Sequence, residues 1–165
     1  IDDFKKFVAE ISQDRTWFFP HLFNYYQRKC NHEDYLQLFE MMINWKNNSS
    51  SIKLLLEVKN GQRCLSFQNA VKMKKISTPQ IFNLLSVDIL DLRGTSLQNI
   101  SYLINSSIKE LNICGLSIRD YQPLSKIRHL TKVKLNKKQV RSAINRLSAS
   151  GVEIVIKEKA LGTRH

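Results

Sequence analysis

VDILDLRGTSLQNISYLINSSIKELNICGLSIRDYQPLSKIRHLTKVKL, residues 87–135, decides the fold because it repeats itself. Val87, Leu90, Leu92, Leu97, Ile100 and Leu103 recur, shifted by twenty-one, as Ile108, Leu111, Ile113, Ile118, Tyr121 and Leu124. A shift of twenty-two carries Ile108, Leu111, Ile113 and Ile118 onto Leu130, Val133, Leu135 and Val140, and a last shift of twenty-one takes Val133 and Leu135 to Ile154 and Ile156. This period predicts units that each supply a strand too short to be stable alone, then a turn and a return, and that bury their aliphatic positions only by stacking. Short strands are expected around Asp91, Asn112, Lys134 and Val155.

Side chains alternate across a strand, so the residues between the buried ones face outward. That places Ile89, Asp91 and Arg93, then Glu110, Asn112 and Cys114, then Lys132, Lys134 and Asn136, then Glu153, Val155 and Lys157 on one open face. The partner-binding surface expected there is Asp91, Arg93, Glu110, Asn112, Lys132, Lys134, Asn136, Glu153 and Val155. The plain alternative is a solvated sheet face with no ligand.

LDLRGTSLQNISYL and LNICGLSIRDYQPLSKIRHLTKVKL resemble the short bacterial leucine-rich repeats of the form LxLxxTxIxDLxPLxxLxxLxxLxL. Gly94-Thr95 after the strand is similar to arrays found behind serine/threonine kinase domains in some bacteria, and the likeness covers roughly residues 84–157. The resemblance implies a recognition module within a larger protein. Many such arrays place Asn where this chain has Thr95, Leu116 and Lys138, so the turns must be held in another way. KKQVRSAINRLSAS breaks the pattern and reads as a helix with Val140, Ile144 and Leu147 on one face, before Gly151 opens the last strand. The fold class expected is α/β, a short leucine-rich-repeat solenoid with parallel strands, divided into an N-terminal helical region (1–50), a hairpin and capping segment (51–86), and the repeats with a C-terminal cap (87–165).

Upstream, apolar residues recur at three and four over residues 3–48, which predicts three helices: Phe4, Phe7, Val8, Ile11; then Leu22, Phe23, Tyr26; then Tyr35, Leu38, Phe39, Met42, Ile43. Pro20 suits a first turn and Asn31 a cap, while Trp17 and Trp45 belong to the helical core. Asn47 to Ser51 reads as a polar linker. Asn60-Gly61 marks a two-residue hairpin loop that sets Lys59 opposite Gln62, Leu56 opposite Leu65 and Leu54 opposite Phe67.

The chain carries a net charge of +12, unevenly spread: residues 1–50 hold six Lys/Arg against seven Asp/Glu, and residues 51–165 hold twenty against seven. Such a bias favours an acidic protein partner, nucleic acid or another anionic surface. Lys126, Arg128, Lys137, Lys138 and Arg141 form the basic patch expected, with His129 among them and no aromatic interleaved to stack bases. The first expectation is therefore a protein-recognition module, and the second a domain binding nucleic acid or a similar anionic surface.

Signals for chemistry are missing. None of the five glycines builds a phosphate loop, and Arg119-Asp120 lacks the neighbours of a kinase catalytic loop. Cys30, His32, Glu33 and Asp34 make half of a zinc site at most, and His21, His32 and His129 have no partner motif. The chain is expected to be neither an enzyme nor a cofactor binder. Three cysteines cannot all pair, no run of eighteen apolar residues spans a membrane, and no secretion signal opens the chain, so a cytoplasmic setting is expected. Sequons at Asn47, Asn48, Asn99 and Asn105 are the yield of an Asn- and Ser-rich composition, and Ile1 in place of Met reads as the start of a piece cut from a longer protein.

Overall fold

The computed structural model of the chain describes residues 32–76, 81–147 and 150–157. The first two expected helices, with Trp17, Pro20 and Cys30, lie outside them. Helix α1 (His32–Lys46) is the third. The apolar residues that recur at three and four, Tyr35, Leu38, Phe39, Met42 and Ile43, are buried, while Leu36, Met41 and Trp45 are partly buried against the same core. The tract after it is no loose linker. Asn48 takes the left-handed conformation that ends a helix (φ 51°), and the Asn44 side chain exchanges two hydrogen bonds with the Ile52 main chain, each 2.9 Å. The Glu40 carboxylate also accepts from the Leu54 N–H at 3.1 Å, so the helix is bonded to the start of the first strand.

Strands β1 (Lys53–Lys59) and β2 (Gln62–Gln68) form the hairpin in the expected register, Lys59 opposite Gln62, Leu56 opposite Leu65 and Leu54 opposite Phe67. Asn60 and Gly61 both have positive φ, 50° and 74°, as a tight loop of this length requires. A single helical turn, α2 (Ile81–Leu84), precedes β3 (Ile89–Asp91), which is followed by β4 (Glu110–Asn112), β5 (Lys132–Leu135), helix α3 (Lys137–Leu147) and β6 (Glu153–Ile156).

Among the described residues six strands make one open sheet in the order β1-β2-β3-β4-β5-β6. Only the hairpin pair is antiparallel; every later neighbour is parallel. Leu90, Leu111, Val133 and Ile154 stand in register across four strands, at the spacing read from the sequence. Backbone bonds from Leu92 N–H to Asn112 O (2.9 Å) and from Ile113 N–H to Lys134 O (3.3 Å) carry the stack past the strand ends. Leu92, Ile113 and Leu135 are fully buried, whereas Ile156 in the last strand is half exposed.

Successive units return through short 3-10 turns, Ser101–Leu103 and Gln122–Lys126, until α3 replaces the turn in the last one. The buried cluster runs without a break from Tyr35 in α1 to Leu147 in α3. In α3 the buried positions are Gln139, Ala143 and Leu147, four residues apart, with Val140 partly covered. Ile144, expected on that face, is instead 46% exposed, because the face is centred one position earlier than its aliphatic residues indicate.

Turn geometry answers the missing Asn. After β3, the buried Thr95 hydroxyl donates to Leu92 O at 2.8 Å. After β4, Gln139 supplies the bonds from α3: its Nε2 donates to Ile113 O and Leu116 O, each at 2.8 Å, and its Oε1 accepts from the Gly115 N–H at 3.0 Å. Oε1 also accepts from the Asn136 N–H (2.9 Å) while Asn136 Oδ1 accepts from the Gln139 N–H (2.8 Å), a reciprocal capping box at the start of α3.

Candidate interaction surfaces

Two rows of side chains cross the outward face of the sheet. One runs Cys64, Ile89, Glu110, Lys132, Glu153, and the next carries Asp91, Asn112, Lys134 and Val155. The six charged residues predicted for this face pair off among themselves. Lys134 Nζ lies 2.9 Å from Glu110, both half-buried; Arg93 lies 2.7 Å from Asp91; Lys132 lies 3.9 Å from Glu153. The face is thus close to neutral in a chain of net charge +12, and the basic excess lies elsewhere.

Three predicted residues differ in role from the expectation. Asn112 sits in the outward row but is buried, and its Oδ1 accepts from the Cys114 N–H at 3.2 Å, so it shapes the turn. Asn136 lies past the end of β5, where its side chain caps α3. Arg93 lies past the end of β3 and folds back on Asp91 through its Nε and Nη2. Glu153 stays exposed, and Ile89, Lys132, Lys134 and Val155 are half-exposed.

Cys64 and Cys114 share this face as free thiols. Burial pushes the Cys64 thiol above its ordinary pKa, with nearby Lys59 pulling the other way, so it remains protonated at neutral pH. That is opposite to the shift an activated nucleophile needs.

The predicted basic patch is split. Lys126, Arg128 and His129 line an open groove of about 510 Å³ beside Asn105 and Ser107, on the side from which the chain enters β4 and β5. Lys137, Lys138 and Arg141 lie beyond the opposite ends of those strands, in the first turns of α3. A strand of this length separates the two groups, and no single patch forms.

No family model, curated protein or solved structure matches the chain. Its surfaces therefore speak through their own geometry.

A third cluster escaped the sequence reading. Lys46, at the end of α1, and Lys72, Lys74 and Lys75, in the segment after β2, line a trough of about 370 Å³ around Asn47 and Asn48. Lys74 also lines an adjoining groove of about 800 Å³ that extends to Gln98 and Arg119. The run VKMKK was the visible signal; that Asn47 would bring it to the helix end was not. Gln139 was legible in principle, since Asn followed three residues later by Gln is a capping-box signature. Among the described residues no group of three His, Cys, Asp or Glu is placed to hold a metal, and no helix is long and apolar enough to cross a membrane.

Proposed function

We propose that residues 87–157 are a short leucine-rich-repeat array and that the chain is a non-catalytic protein-recognition module whose open sheet face contacts a protein partner. What supports the array is the in-register stack of Leu90, Leu111, Val133 and Ile154 at the sequence period. The single observation that carries the recognition reading is the composition of the face. The six charged residues predicted for it are already matched, so net attraction contributes little there, and specificity comes from hydrogen bonds, exchange of ion pairs and the apolar Ile89 and Val155. A partner of mixed charge fits such a face better than a strongly acidic one.

The setting is a regulatory segment of a larger bacterial protein such as a serine/threonine kinase, a reading that draws on Gly94-Thr95 alone. The alternative, binding of nucleic acid, draws on Lys126 and Arg128 beside His129 in one groove. Immobilised chain and its Glu153→Arg/Val155→Arg variant test the proposal. A protein retained by the first, lost from the second and still bound as salt rises from about 50 to about 200 mM supports it, since phosphate-dominated binding weakens steeply over that range. Retention that is indifferent to the variant, or that nuclease abolishes, refutes it.

A further inference from the structure

The lysine cluster at the end of α1 is built, and its construction does not depend on what the sheet face binds. Asn47 makes it. Its Nδ2 donates to Ile43 O at 2.8 Å and to Lys75 O at 2.9 Å, while its Oδ1 accepts from the N–H groups of Lys74 (2.8 Å) and Lys75 (3.0 Å). One carboxamide thus ties the lysine segment to the helix. The following unit ties it again, through Ser96 N–H to Met73 O at 3.0 Å and the Ser96 hydroxyl to Val71 O.

The result is a fixed row of exposed cations: Lys46, Lys72, Lys74 and Lys75, continued by Arg119 across the shared groove. None of the five has an ion pair among the described residues. The six charged residues predicted for the sheet face of the same molecule all pair, so the contrast is local. A helix C-terminus supplies roughly half a negative charge and accounts for Lys46, but it cannot balance four cations. Among the described residues Asp120 is the one carboxylate lining the two grooves, and its Oδ1 accepts from the Gln122 N–H at 2.9 Å.

We propose that this trough, from Lys46 through Lys74 to Arg119, binds an extended acidic peptide segment, with carboxylates meeting the lysines and the peptide main chain meeting Gln98 and Ser101. Three features select a peptide over a nucleic acid. Among the described residues no aromatic side chain lines either groove to stack a base. Four of the five cations are lysines, which act as point charges, and only Arg119 offers the fork that phosphate favours. The Gln98 amide and the Ser101 hydroxyl each donate and accept; a peptide backbone supplies both complements, whereas a phosphate backbone only accepts.

The test is fluorescence anisotropy with a labelled peptide of alternating Glu and Ser, about ten residues long, at low salt where screening is weak. We expect saturable binding that disappears when each Glu is replaced by Gln. The Lys72→Gln/Lys74→Gln/Lys75→Gln variant is expected to bind at least tenfold more weakly. Lys137→Gln/Lys138→Gln/Arg141→Gln removes the same charge outside the trough and is expected to bind within about twofold of the parent, circular dichroism confirming that both variants are folded. Equal losses in the two variants would reduce the effect to net charge and overturn the site. So would absence of binding at low salt, or a single-stranded oligonucleotide of equal charge that binds more tightly and displaces the peptide.

Discussion

The carboxamide of Gln139 closes four hydrogen bonds to main-chain groups of two successive units, and the two it donates, to Ile113 O and Leu116 O, are buried. Truncation strands the buried Ile113 O and Leu116 O, while the N–H of exposed Gly115 can turn to water. Gln139→Ala should therefore cost about 3 kcal/mol, read from urea unfolding, since each stranded buried group costs about 1–3 kcal/mol. Tyr102 is the converse case. Its hydroxyl is buried without a hydrogen-bond partner among the described residues, and burial pushes its pKa well above the ordinary value. The unfolded chain loses this proton near pH 10 and the folded chain does not, so above pH 10 the unfolded state binds fewer protons and stability falls as pH rises. Tyr102→Phe removes both penalties. It should be neutral to about 1 kcal/mol stabilising at pH 7, with a larger advantage over the parent at pH 11, and an advantage that shrinks with alkalinity would contradict the burial.

At the scale of elements, α3 shows why part of the fold was legible and part was not. Its existence followed from period and composition, as did the strands, because aliphatic spacing reports which residues must leave water. Its orientation did not. Val140, Ile144 and Leu147 are its large apolar residues, yet the buried positions are Gln139, Ala143 and Leu147, set by the bonds Gln139 makes and by the room a small Ala143 leaves for close packing. A polar residue that anchors through hydrogen bonds is invisible to hydrophobic periodicity. The same blindness hid Asn47, and with it the lysine trough, while the hairpin was read correctly because Asn60-Gly61 dictates both loop and register. The two views of α3 separate by experiment. Ile144→Gln should change stability by no more than about 0.5 kcal/mol, whereas Ala143→Leu should cost about 1–3 kcal/mol by overpacking; the reverse order in thermal melts would restore the periodicity reading.

Charge follows the same division across the whole molecule. Where strands bring acid and base into register, the pairs Glu110 with Lys134 and Asp91 with Arg93 form and the face is close to neutral; where a helix end meets a loop, lysines accumulate with no ion pair among the described residues. Composition reported the sum of +12 but not this segregation, which depends on residues far apart in sequence. The core, by contrast, is continuous from α1 to α3 and links every strand. Leu111 lies at its middle, fully buried, between Leu90 and Val133 on neighbouring strands. Because each unit is too small to bury its own apolar side chains, loss of packing there cannot stay local. Leu111→Ala should cost about 2–5 kcal/mol, and hydrogen exchange should show the loss of protection at both the hairpin and β6. Loss confined to β4 and its neighbours would mean that the stack unfolds in separate pieces, and the face formed by its rows would then have no common rigid support.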